Sequence, residues 1–196
     1  MCIRDRYNIN TKTGRFVLVD QYETVGGGII SMEGYPNQRG RHKVVSTNIE
    51  AVASTINQKT RASVNGHKGG IIWLTGLSGA GKSTIAIEAE RQLFQKGYQI
   101  YVLDGDNIRF GLSADLGFTP ADRTENIRRI GEVAKLFADA GVVVITAFIS
   151  PYRDDRNRVR AIAPDQFHEV FIKADLSTCE TRDPKGLYAR ARNGEI

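Results

Sequence analysis

Cysteine and histidine are scarce in this chain, and their scarcity narrows the chemistry at once. Cys2 and Cys179 are the two cysteines in 196 residues, and they form no spacing motif, which argues against a disulfide framework or a zinc site. Three histidines scattered singly say the same of a histidine-built metal centre. No apolar stretch approaches the length needed to span a bilayer, so no membrane association is expected. The N-terminus has no signal-like apolar core, and the expectation is a soluble, cytoplasmic protein. Excess charge is also small: 27 Lys and Arg against 22 Asp and Glu give a formal net charge of +5. Residues 1–45 hold seven basic and four acidic residues, which leaves only +2 for the rest. No continuous basic face with interleaved aromatics appears, so the excess suits small anionic ligands and not a nucleic acid.

What is present is concentrated in one string. Gly76-Leu77-Ser78-Gly79-Ala80-Gly81-Lys82-Ser83 matches G-x-x-x-x-G-K-[ST] in full. Glycines at 76, 79 and 81 allow backbone conformations that turn successive N–H groups around an anion. In such a loop Lys82 reaches the β- and γ-phosphates and the Ser83 hydroxyl ligates Mg²⁺. Amides of the helix that starts near residue 81, Thr84 included, add partial positive charge. The flanks agree with this reading. Ile71 to Thr75 is a short apolar run expected of a buried parallel strand, and Ile85, Ala86, Ala89, Leu93 and Phe94 recur at helical spacing, with Gly97 as a stop. The predicted ligand is a nucleoside triphosphate with Mg²⁺.

Strand and helix patterns alternate from Ile71 onward. Tyr98 to Leu103, Val142 to Ile149 and Phe167 to Lys173 read as further strands; Thr124 to Ala140 and about 152–162 read as helices. The predicted fold class is α/β, a phosphate-loop NTPase-type parallel sheet with helices on both faces. The first six residues fit nothing downstream and read as a non-native scar. Residues 7–45 differ in texture, with strands at Phe16 to Val19 and Val25 to Met32, polar turns and a triple glycine at 26–28. Two strands do not make a domain, so this segment reads as the end of a β-rich domain whose body lies upstream. The domain proper is placed at 46–196 and is expected to be incomplete at its C-terminal end, after the basic segment Lys185 to Arg192.

Beyond the loop, the second strand ends in Asp104-Gly105-Asp106-Asn107. At the C-terminal end of a strand these carboxylates belong beside the phosphates, where one can orient the water shell of Mg²⁺ or accept a proton from an acceptor hydroxyl. Arg109 and Arg123 read as lying outside regular helix, free to converge on phosphate or sulfate. Arg128 and Arg129 read as surface residues of the following helix.

The string from Asp104 to Phe118, together with Asp122-Arg-Thr-Glu-Asn-Ile-Arg-Arg129, resembles adenylylsulfate (APS) kinase. So do Phe148-Ile-Ser-Pro-Tyr-Arg153 and Arg182-Asp-Pro-Lys-Gly-Leu-Tyr188. The likeness runs over about residues 50–196. It implies transfer of the γ-phosphoryl of ATP to the 3′-hydroxyl of adenylylsulfate. It also implies that Arg109, Phe118, Arg123, Asn126, Ile149 and Lys185 line the adenylylsulfate pocket. Asp106 is the preferred metal-orienting or base residue and Asp104 the second choice. Ser150 matches a serine described as phosphorylated in the bacterial family, and it reads here as a substrate-pocket residue open to phosphorylation. The charged helix from Tyr152 to Arg160 and the segment Lys185 to Arg192 read either as parts of a closing lid or as solvated helical faces. Residues 13–20 and 25–30 resemble the end of the elongation-factor-like sulfate adenylyltransferase large subunit. This implies a bifunctional chain, with the adenylyltransferase small subunit as a partner through the upstream domain, and the family often forms homodimers. Two alternatives remain at this point: another small-molecule phosphate-loop kinase, or a catalytically dead nucleotide-binding module tethered to an adenylyltransferase.

Overall fold

The structure is a computed structural model that describes the backbone of residues 15–20 and 23–29, and residues 49, 50, 52 and 54–194. Its contacts divide the chain into two units, 1–49 and 50–196. In the first, β1 (Arg15–Asp20) and β2 (Glu23–Ile29) form an antiparallel pair, Arg15 opposite Ile29, with an irregularity between Leu18 and Val19. The triple glycine lies inside β2, paired with Leu18, Val17 and Phe16. Positions 30–32 of the expected second strand, and the expected scar at 1–6, lie outside the described residues.

The second unit opens with α1 (Gln58–Asn65), capped by the Asn57 side chain on the Thr60 amide. Four strands follow: β3 (Gly70–Thr75), β4 (Ile100–Asp104), β5 (Val143–Ala147) and β6 (Phe167–Phe171). They pair in the order β4-β5-β3-β6, and every pairing is parallel. A parallel sheet puts the C-terminal ends of its strands on one edge. Here the phosphate loop, the Asp104 turn and the Phe148–Ser150 turn therefore share that edge.

The alternation of side chains along β3 explains the two layers. Ile71 and Trp73 face α4 (Pro120–Asp139) and α5 (Arg153–Ile162), and form a core with Leu103, Val144, Ile127, Ile130, Ala134 and Val159. Trp73 is fully buried, its ring 6.1 Å from Phe148 and 5.8 Å from Phe167. Leu74 points the other way, with Ile145 and Ala147, onto Ala86 of α2 (Lys82–Gln95). Helices thus cover both faces, as expected. This second layer is thinner than the spacing of apolar residues suggests, because Ile85 and Phe94 of α2 are 46% and 70% exposed. Helix α4 begins four residues earlier than the predicted Thr124. Thr119 and Asp122 form a capping box, and Pro120 occupies the first turn, where its missing N–H costs nothing. The α4–α5 contact is tight at Gly131, where a Cβ would meet the Val159 Cγ2 atom at 2.7 Å.

The remaining helices are short. α3 (Gly105–Phe110) follows β4 directly, and α6 (Leu176–Arg182) and α7 (Leu187–Arg192) follow β6. Among the described residues, no helix is long and apolar enough to cross a membrane.

Candidate active site

The glycines of the 76–83 loop adopt the conformations their residue type permits: φ is +150° at Gly76, +73° at Gly79 and +98° at Gly81. Two of them are also pressed against neighbouring backbone. A Cβ at Gly76 would lie 2.6 Å from the Ile172 carbonyl oxygen, and one at Gly79 2.8 Å from that of Cys179. Lys82, buried at the start of α2, donates from Nζ to the carbonyls of Gly76 (3.0 Å) and Leu77 (2.7 Å). Burial pulls its pKa below the usual lysine value, with Lys185 adding repulsion while Cys179 and Asp104 oppose the shift. Two groups after β6 close on the same loop. The Tyr188 hydroxyl donates to Ser78 O at 2.9 Å and Arg182 Nη1 to Gly79 O at 3.3 Å. Burial raises the Tyr188 phenol's pKa, which keeps it a donor.

The two candidate carboxylates have different partners. Asp104 accepts from the Ser83 hydroxyl at 2.6 Å and caps α3 through the Asp106 amide at 3.0 Å. Asp106 instead pairs with Lys185, Nζ to Oδ1 at 2.6 Å and to Oδ2 at 2.5 Å. The second choice, Asp104, is thus the carboxylate that stands on the metal-candidate serine. Ser83 and Asp104 bring hard oxygen donors together next to the loop, and such donors fit Mg²⁺ bound chiefly through nucleotide phosphates.

On the other side, Arg109 and Arg123 gather the turn that carries Phe118. Arg109 Nη1 donates to Leu116 O (3.2 Å) and Gly117 O (2.9 Å), and its guanidinium lies 4.3 Å from the centre of the exposed Phe118 ring. Arg123 Nε donates to Phe118 O at 2.8 Å. Neither arginine lies outside helix as the sequence predicts. Arg109 belongs to α3, too short to show a period, and Arg123 to the first turn of α4, extended backwards by the Thr119 cap. Asn126 is buried on α4, and its Oδ1 has no hydrogen-bond partner among the described residues. Ile149 is 41% exposed.

Ser150 is buried. It is 3% exposed, accepts from Trp73 Nε1 at 3.1 Å and donates to Thr75 Oγ1 at 3.1 Å. The hydroxyl therefore ties the turn after β5 to β3 from within. For the helix at 152–160 the structure contradicts the lid alternative. Val159 of α5 is in the core, Asp155 accepts from Thr124 at 3.0 Å, and Arg156 and Arg160 both bind Glu169 of β6.

A sequence model of the adenylylsulphate kinase family matches residues 68–196. The chain belongs to the adenylylsulphate kinase family. It is 64% identical over 144 residues to the adenylyl-sulfate kinase of Bacillus pumilus, a span covering 73% of each chain. It is 58% identical over 144 residues to that of Staphylococcus epidermidis, covering 73% of this chain and 72% of the relative. The solved Mycobacterium tuberculosis APS kinase CysC, in complex with AMPPNP and APS, superposes with a TM-score of 0.62 at 55% identity. That match covers 66% of this chain and 76% of the other.

Within this member of the family, the sequence reads Arg129 as a surface residue and Thr75 only as the end of a strand. Arg129 holds Asp115 through two hydrogen bonds (2.6 and 2.8 Å), Leu112 O at 2.9 Å and Glu125 at 2.9 Å, which fastens the turn between α3 and α4. Those bonds, Asp115 first, raise the Arg129 pKa and lower that of Asp115. Thr75 bonds Ile149 O at 2.9 Å as well as Ser150. Arg129 left a trace in the sequence, as the fourth arginine of an Arg-rich run; Thr75 left none.

Proposed function

We propose that this adenylylsulphate kinase transfers the γ-phosphoryl group of ATP to the 3′-hydroxyl of adenylylsulfate, giving 3′-phosphoadenylylsulfate and ADP in sulfate activation. The observation that carries the reading is the intact phosphate loop with Asp104 on Ser83, in a chain 64% identical to a named adenylyl-sulfate kinase. In the reaction the acceptor O3′ forms a bond to Pγ while the bond from Pγ to the β,γ-bridging oxygen breaks, and ADP leaves.

Backbone amides from Gly76 to Thr84 cradle the phosphates, and Lys82 turns from its loop carbonyls to the β- and γ-oxygens. Ser83 and Asp104 would hold Mg²⁺, which supplies charge neutralisation on the phosphate oxygens when bound. Asp106 takes the proton of the acceptor hydroxyl, its carboxylate oriented by Lys185. Arg109, Arg123 and Lys185 face the phosphosulfate, Phe118 and Ile149 supply the apolar surface for adenine, and Asn126 contributes its uncommitted Oδ1. Direct in-line transfer leaves Ser150 outside the chemistry.

The test is ADP release from ATP in the presence and absence of adenylylsulfate. Acceptor-dependent release is expected, with Lys82→Met and Asp106→Asn each reducing it by 10²-fold or more. Release that does not depend on adenylylsulfate would favour another phosphate-loop kinase, and nucleotide binding with no turnover would favour the regulatory module. For residues 7–45 we propose the end of an elongation-factor-like adenylyltransferase domain, a reading supported by the separate antiparallel pair. Co-elution with an adenylyltransferase small subunit would test that partner, light scattering would test a homodimer, and fractionation would test a cytoplasmic location.

A further inference from the structure

A buried chain of side-chain hydrogen bonds joins the loop that would hold ATP to the turn that would hold the acceptor. It starts at the Trp73 indole N–H, which donates to Ser150 Oγ (3.1 Å). Ser150 donates to Thr75 Oγ1 (3.1 Å), and Thr75 donates to the carbonyl of Ile149 (2.9 Å). The direction of the chain is fixed, because an indole N–H can only donate and a carbonyl can only accept. Each hydroxyl in between therefore accepts once and donates once. Trp73, Thr75 and Ser150 are 0%, 5% and 3% exposed, so no solvent can replace a lost partner.

Position makes this chain more than packing. Thr75 immediately precedes Gly76, the first glycine of the phosphate loop, and Ile149 lies on the acceptor side. Ser150 has φ of +37°, a left-handed conformation for a residue other than glycine. It is held from the opposite side as well. Arg156 Nη1 donates to Ser150 O at 2.7 Å, and its Nε donates to Glu169 Oε1 at 2.7 Å. Two sets of hydrogen bonds thus fix one strained residue between β3, β5, α5 and β6.

We infer that the Trp73–Ser150–Thr75–Ile149 chain sets the spacing of the two nucleotide loops, and that Thr75 is a positioning residue for phosphoryl transfer. The inference rests on the kinase reading above. Thr75→Val keeps the side-chain shape and removes the hydroxyl. It leaves the buried Ser150 donor and the Ile149 carbonyl without their partner, and releases one restraint on Ser150. A misplacement of the acceptor loop by a fraction of an ångström to 1 Å acts on the attacking geometry, where effects on the order of 10²-fold arise.

The experiment is steady-state kinetics of wild type, Thr75→Val, Thr75→Ser, Ser150→Ala and Thr75→Val/Ser150→Ala, with thermal melting of each. Expected for Thr75→Val is a 10- to 100-fold fall in kcat with the KM for ATP within about threefold of wild type. Thr75→Ser restores kcat to within about threefold, and the double variant is no slower than the slower single, because both cut the same chain. A Thr75→Val protein with wild-type kcat and a lowered melting temperature would overturn the inference, as would losses that simply multiply. Should Thr75→Val fail to fold, wild-type kcat in Ser150→Ala overturns it equally. Wild-type protein that releases no ADP with adenylylsulfate overturns the kinase reading itself, a result separable from all of these.

Discussion

Replacing Gly79 with alanine should damage nucleotide binding far more than the same change at Gly81, although both glycines belong to the loop pattern and both have positive φ. At Gly81 φ is +98° and a new Cβ would meet nothing closer than Arg182 Nη1 at 3.8 Å. The cost there is backbone strain alone, about 1–2 kcal/mol. At Gly79 φ is +73° and the Cβ would lie 2.8 Å from the Cys179 carbonyl oxygen and 3.3 Å from its Cα. Both contacts are backbone of α6, which cannot rotate aside, so overpacking adds about 1–3 kcal/mol. The sum, about 2–5 kcal/mol, is large enough to shift the loop or to push α6 away from it. Either response also breaks the bonds from Tyr188 to Ser78 and from Arg182 to Gly79. If the loop carries the cost, affinity for MgATP falls about 5- to 30-fold in Gly81→Ala and from about 30-fold to several thousandfold in Gly79→Ala. Titration calorimetry with MgATP, alongside thermal melting to expose any cost borne by the whole fold, measures both. Equal affinities in the two variants, with equal melting temperatures, would refute the steric reasoning.

Other expectations follow from charge and packing. Because burial lowers the Lys82 pKa, the ammonium is lost before pH reaches the ordinary lysine value of 10.5. MgATP affinity should therefore decline on the alkaline side below that value. In the same window the unfolded chain binds more protons than the native one, so this residue's contribution to stability rises with pH, and Lys82→Met abolishes the rise in pH-dependent melting. Arg129→Gln frees the turn between α3 and α4, and should raise the KM for adenylylsulfate about fivefold while leaving that for ATP unchanged. Asp115→Asn should give a smaller shift in the same direction. Gly131→Ala sets a helix-propensity gain of about 1 kcal/mol against overpacking on Val159 of about 1–3 kcal/mol, and a fall of several degrees in melting temperature is expected.

What could be read from residues alone was whatever depends on local pattern. The loop, its strand and its helix needed only glycine placement, a β-branched run and a 3.6-residue period, and the parallel sheet followed from alternation. Short elements escaped that logic. Helix α3 has six residues, fewer than two turns, so Arg109 gave no periodic signal and read as loop. Thr119, Pro120 and Asp122 did spell a helix start, and overlooking them left Arg123 outside α4. Contacts distant in sequence were not legible at all. Nothing near Ser150 announces that Trp73 and Thr75, more than seventy residues earlier, enclose its hydroxyl. The different partners of Asp104 and Asp106 were equally hidden, since that of Asp106 is Lys185, 79 positions downstream.

The two bonds from Lys82 to Gly76 and Leu77 have a consequence for which anions this loop can distinguish. An ammonium that already has two carbonyl acceptors gains little by exchanging them for one oxyanion in solution, so charge alone is a weak inducement to move. A chain of linked phosphates is different, because it engages the loop amides while it draws the lysine outward. The lysine would thereby set a threshold in the number of phosphates, and free sulfate or orthophosphate should be poor competitors for a triphosphate at this loop.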